Sequence, residues 1–230
     1  MRIENFKKYG LIVAGKYMGK RYLVLILSLV VLVTGCKSTY YAAYEKFGVY
    51  KRDLLKKKVT AARDGEKEAS EQFKDALTKM RELYNFQGGN LDKMYTTLQK
   101  EFDQSTAQAD TVHKRVKDME GVAEDLFTEW EKEIGQISTP SMQSASRQQL
   151  RDTRSKYESL HASVKNAERS MDPVLTLFRD HVLFLKHNLN AQAVASLKGE
   201  AANIQNEISN LITQMNASIA KADEFIKTMP

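Results

Sequence analysis

Apolar residues recur every three or four positions through most of this chain, and the phase of the recurrence predicts four long helices. The first spans about Tyr40 to Tyr84, with a seam of Leu55, Val59, Ala62, Glu66, Ala69, Phe73, Ala76, Met80 and Leu83. The second runs from Leu91 to about Ile134; its seam includes Tyr95, Leu98, Phe102, Ala109, Val116, Met119, Leu126 and Trp130, with one polar lapse at Ser105. The third starts near Ser144 and carries Leu150, Thr153, Tyr157, Leu160, Val164 and Met171. Pro173 falls inside that pattern, where a kink or a restart capped by Asp172 is expected, and the pattern resumes through Phe178, Val182, Leu185 and Leu189. The fourth carries Val194, Leu197, Ile204, Ile208, Leu211, Met215, Ile219 and Phe225.

Three breaks separate these segments. Asn85 to Asn90 holds Gly88 and Gly89, which supply the positive φ of a tight reversal. Gly135 to Pro140 stops one helix and bars the next from extending backwards, and His187 to Asn190 makes the third turn. Short connections make consecutive helices antiparallel neighbours, and sustained heptads imply knobs-into-holes packing. The expected fold is all-α: an elongated antiparallel four-helix bundle, or long helical hairpins, occupying 44–228 as one domain. Phe127 and Trp130 are expected in its core.

The segment before the helices has another character. Met18 to Cys36 reads as a basic start, a 13-residue apolar run from Tyr22 to Thr34, then Val33-Thr34-Gly35-Cys36. That order is a secretory leader, and its run spans only about 20 Å at ~1.5 Å per residue, short of a ~30 Å hydrocarbon core. Val33, Thr34 and Gly35 match a bacterial lipobox ending at Cys36, the chain's only cysteine, whose thiol would carry the lipid. Residues 1–35 are thus expected to be removed, with Met18 an alternative start, and 36–43 to form a lipidated tether. Lys37 follows the cysteine, where Asp would signal inner-membrane retention, so an outer-membrane site facing the periplasm is expected.

Removing the leader changes the charge. Six basic residues and one acidic residue precede Lys37, out of 35 and 29 in the whole chain, leaving 29 against 28. A nearly neutral mature chain has no basic stripe with which to neutralise phosphates, so nucleic acid is not an expected partner. One asymmetry survives: Lys37 to Arg63 holds eight basic residues against Glu45 and Asp53, interleaved with Tyr40, Tyr41, Tyr44, Phe47 and Tyr50. Lys51, Arg52, Lys56, Lys57 and Lys58 would form a membrane-proximal basic collar that reinforces a lipid anchor, unless they are simply a solvated helix face.

The stretches FGVYKRDLLKKKVTAARDGEKEASEQFKDAL, NFQGGNL, LFTEWEKEI and FRDHVLFLKHNLNAQAVASL resemble the bacterial lipoprotein family of domain of unknown function 2959. The resemblance runs from about Tyr44 to Phe225. It implies a Gram-negative envelope protein and brings no catalytic residues with it.

Chemistry-bearing motifs are sparse. Four-helix bundles build di-metal sites from Glu-x-x-His pairs, and Glu158-x-x-His161 and Asp110-x-x-His113 have that spacing. Both flank the seam residues Leu160 and Val112 instead of pointing inward, so surface roles are expected, with no metal and no cofactor. His181 and His187, six apart, fall on different faces. No phosphate loop, zinc cysteine pair or nucleophile elbow is present. Val174 to Leu189 has apolar residues on more than one face, which means deeper burial in the bundle or a contact surface. The candidate partner surface is Phe86, Gly88, Gly89, Phe184, His187 and Asn188.

These features point to a non-enzymatic, lipid-anchored periplasmic rod acting as a scaffold, spacer or adaptor. Its expected partners are the membrane and either an envelope protein or a second copy, with no small-molecule substrate. The alternatives are a helical protein that lies on the bilayer through its basic collar to sense or shape it, and a ferritin-like di-metal enzyme.

Overall fold

The computed structural model describes residues 50–229. The lipobox, Cys36, the tether and the first ten residues expected in helix one lie outside the described residues. Four helices follow in order: α1 (Lys51–Tyr84), α2 (Leu91–Ile134), α3 (Pro140–His187) and α4 (Ala191–Thr228). Each packs on its neighbours in sequence, and α1 also packs on α4, which closes the ring. The contacts run in reverse register. Along α1, Lys51, Lys58 and Gln72 meet Glu129, Asp118 and Glu101 of α2. Arg63 meets Asp223 of α4 at 2.7 Å, and Trp130 of α2 donates to Ser146 of α3 at 3.0 Å. The result is an antiparallel up-down-up-down bundle. At ~1.5 Å per residue its helices run about 50–70 Å.

Most of the seam residues read from the sequence form the core, although Tyr95 and Phe102 of α2 are only half-buried. Every seam position named for α1 is buried, as are the α3 positions from Leu150 to Leu185. Phe73 and Phe178 are fully enclosed; burying a side chain of this size contributes roughly 1.5–3 kcal/mol. Phe178 meets Phe102 edge-on, ring centroids 5.6 Å apart. Phe127 is buried as expected, whereas Trp130 is only half-buried at the edge of the α2–α3 groove.

Four further expectations need correction. Helix α3 begins at Pro140 rather than near Ser144, because proline at the first helical position loses no helical hydrogen bond. Pro173 does not restart it, since α3 runs continuously to His187. In α4 the core position is Ser218, fully buried, while Ile219 is half-buried; the seam steps by three after Met215, not four. Leu189 leaves the pattern and lies exposed in the turn after α3.

The turns are built as their residues dictate. Gly88 and Gly89 have φ of 128° and 135°, a region that side chains with a Cβ rarely enter. Asn90 and Asn190 cap α2 and α4, each side chain accepting from a backbone amide three residues on at 2.9 Å. Among the described residues, no helix is long and apolar enough to cross a membrane.

Candidate functional site

Antiparallel packing brings the α1–α2 turn and the α3–α4 turn to one end of the bundle. The candidate surface residues Phe86, Gly88, Gly89, Phe184, His187 and Asn188 all lie on that end. Phe86 is half-buried against Gly89, where an added Cβ would stand 3.4 Å from its ring. Leu183, Phe184 and Leu189 are 44, 40 and 39 % exposed, so the extra apolar faces of α3 are not absorbed by the bundle. His187 is exposed in the last turn of α3, and Asn188 donates from its side chain to the Phe184 carbonyl at 2.9 Å.

Beneath this end sits a buried polar contact across the bundle: Tyr84 Oη and His181 Nδ1 are 2.9 Å apart. Burial pushes the Tyr84 hydroxyl well up, which keeps its proton in place. Burial also lowers His181, against the opposing pull of Glu200 and Asp180, and favours the neutral ring. With the neutral ring in its Nε2–H tautomer, the phenol donates to Nδ1. His181 and His187 do point apart, one inward and one outward.

At the opposite end the basic collar divides. Lys51 and Lys58 are drawn onto α2 by Glu129 at 2.6 Å and Asp118 at 2.8 Å, and Arg52 lies 3.6 Å from Asp53. Lys56 and Lys57 are exposed on the outer face of α1 and form no ion pair among the described residues.

The two acid–histidine pairs resolve differently from their sequence spacing. His161 turns from Glu158 to Glu120 on α2, with Nε2 to Oε1 at 2.7 Å. His113 turns from Asp110 to Glu168 on α3, with Nδ1 to Oε1 at 2.9 Å, and its Nε2 lies 3.5 Å from Asp172. Lys165 stands between the pairs, ion-paired to Glu168 and 3.6 Å from Glu120. Burial alone would raise the Glu168 carboxyl, but hydrogen bonds and charge from Lys165 and His113 outweigh it and hold it below the usual range. This ladder ties α2 to α3. Among the described residues, no group of three or more His, Cys, Asp or Glu side chains is arranged to hold a metal ion.

One element the sequence reading did not single out is Glu66. It occupies a seam position of α1, is fully buried, and has neither carboxylate oxygen in a hydrogen bond among the described residues. Burial pushes its carboxyl up to about 8; the nearby Ser218 hydroxyl offsets part of this, and the negative charge of Glu168 adds to it. The signal was visible, since an acid stood in an otherwise apolar heptad seam.

Fold and geometry together define a closed four-helix bundle with a polar layer in its core, an ion-pair ladder across α2–α3 and an apolar cluster at one end. The family model described as protein of unknown function (DUF2959) matches residues 40–229, and the chain belongs to that family. Comparison with curated proteins and with solved structures finds no match.

Proposed function

We propose that this protein is a lipid-anchored envelope scaffold or adaptor, held to the outer membrane on its periplasmic side through Cys36 and presenting a contact surface at the distant end of the bundle. The observation that carries this reading is the exposed apolar cluster Leu183, Phe184 and Leu189, at the end of the bundle opposite Lys51. Cys36 lies 15 residues before Lys51 in the sequence, so a lipid there would join the chain ahead of the Lys51 end of the bundle. Measured along the bundle, the cluster lies roughly 50 Å from the Lys51 end by helix rise. A helical spacer of this kind needs a stiff core, and the heptad packing with the α2–α3 ladder supplies one. No catalytic step is part of the reading.

The anchor is tested by metabolic labelling with radioactive palmitate. Label on the native chain and none on Cys36→Ala supports it; an unlabelled native chain rejects it.

A second reading is favoured by Lys56 and Lys57, which are exposed and without ion pairs among the described residues. The protein would then also lie against anionic headgroups, each basic residue near such a surface being worth about 1 kcal/mol. Liposome pelleting separates the two. Retention on anionic vesicles that disappears in Lys56→Glu/Lys57→Glu supports surface binding, and equal retention of both proteins excludes it.

A further inference from the structure

Six buried side-chain oxygens near the middle of the bundle have no hydrogen-bond partner among the described residues: both carboxylate oxygens of Glu66, the hydroxyls of Ser70, Ser105 and Ser218, and Oε1 of Gln108. Glu66, Ser105 and Ser218 are fully buried and Ser70 is 2 % exposed. The reverse register places them together. Gln72 meets Glu101 across α1–α2, which sets Ser105 opposite Ser70 and Gln108 opposite the turn between Glu66 and Ser70. Arg63 meets Asp223 across α1–α4, which sets Ser218 beside the same turn. Glu66 and Ser70 are one turn apart, so the group spans only about 6 Å along the axis. Core positions of α1, α2 and α3 near this level are filled by Ala69, Ala109 and Ala167, the smallest side chains that carry a Cβ.

We propose that this layer is an internal hydration site, in which a small group of ordered water molecules bridges Glu66 to the hydroxyls of Ser70, Ser105 and Ser218. An isolated buried carboxyl or hydroxyl costs free energy unless it is hydrogen-bonded. Buried water typically makes about three bonds to such groups, and a site needs only polar walls and modest room. The serines are short and each is pinned to its own helix, so they cannot all reach one carboxyl. Water can, because it donates and accepts in any direction. Burial keeps Glu66 protonated at neutral pH, so it brings one donor and an acceptor carbonyl, a set suited to water. The same oxygens could instead surround a hard cation, which would demand the ionised carboxylate.

Infrared difference spectra of the full-length chain, native minus Glu66→Met, recorded in ordinary and in oxygen-18 water, test the proposal. The expected result is a set of O–H stretching bands present only in the native protein and shifted by the isotope. Equal helicity of the two proteins by circular dichroism validates the comparison. An isotope-insensitive difference spectrum overturns the proposal. A crystal structure of the native chain tests it without any variant: ordered density within hydrogen-bonding distance of Glu66 supports it, and a dry layer rejects it. Thermal stabilisation by sodium or calcium that is lost in Glu66→Gln would also overturn it, by assigning the site to a cation.

Discussion

His161 of α3 and Glu120 of α2 meet at 2.7 Å, and the same contact recurs one heptad along each helix with the residue types exchanged, as His113 of α2 and Glu168 of α3 at 2.9 Å. The exchange follows from antiparallel pairing: moving seven residues forward on α2 moves the facing level seven residues back on α3. Lys165 lies between the pairs and serves both glutamates. Glu168 is 8 % exposed, so losing a partner leaves a poorly solvated charge. His113→Ala should destabilise the bundle by about 1.5–3 kcal/mol, and far less in a Glu168→Gln background. A double-mutant cycle in urea checks this, with additive effects counting against the ladder.

Glu66 and Glu168 should give opposite pH dependences. The folded Glu66 carboxyl is raised from 4.5 to about 8, so its contribution to stability is fully present below pH 4.5 and is lost as pH rises through about 8. A shift of this size is worth on the order of 5 kcal/mol. Glu66→Gln should therefore gain on the native protein between pH 5 and pH 9 in urea unfolding. Glu168 is lowered, so its contribution is present above 4.5 and is lost as pH falls through its folded value. Glu168→Gln should remove part of the acid sensitivity below pH 4.5 and leave the alkaline side unchanged.

Tyr84→Phe should cost about 1–2 kcal/mol, because it deletes the hydroxyl hydrogen-bonded to a His181 ring that is 9 % exposed. Thermal melting measures the loss. A nitrogen NMR shift of His181 Nδ1 identifies its cause, and an unchanged shift would mean that the bond is not formed.

The end cluster separates packing from recognition. Phe184→Ser should change stability by no more than about 0.5 kcal/mol, as expected of an exposed position. Its neighbour Leu185 is fully buried, and Leu185→Ala should cost about 2–5 kcal/mol. Equal losses at the two positions would mean that Phe184 is core.

The heptad seams made the bundle legible, because the 3.6-residue period constrains which positions can face inward whatever the partner helix is. Turns were legible for the same local reason, through Gly88, Gly89, Asn90 and Asn190. Cross-helix partners were not. Glu158 and His161 share a helix face by spacing, yet His161 bonds Glu120, a choice set by the rotation of α3 against α2. Ser218 replaced Ile219 because a one-residue shift between steps of three and four leaves little trace in a sequence rich in small residues. The exposure of Phe184 and Leu183 was undecided by pattern alone, since an apolar face looks the same whether covered or bare.

Photocrosslinking in living cells tests the central claim most directly. A photoreactive side chain at position 184, in the apolar end cluster, is compared with one at position 142, where Met142 is 64 % exposed near the turn between α2 and α3. The account predicts a discrete, reproducible adduct, to an envelope protein or to a second copy, from position 184 and not from position 142. The same yield of diffuse products from both positions would contradict it.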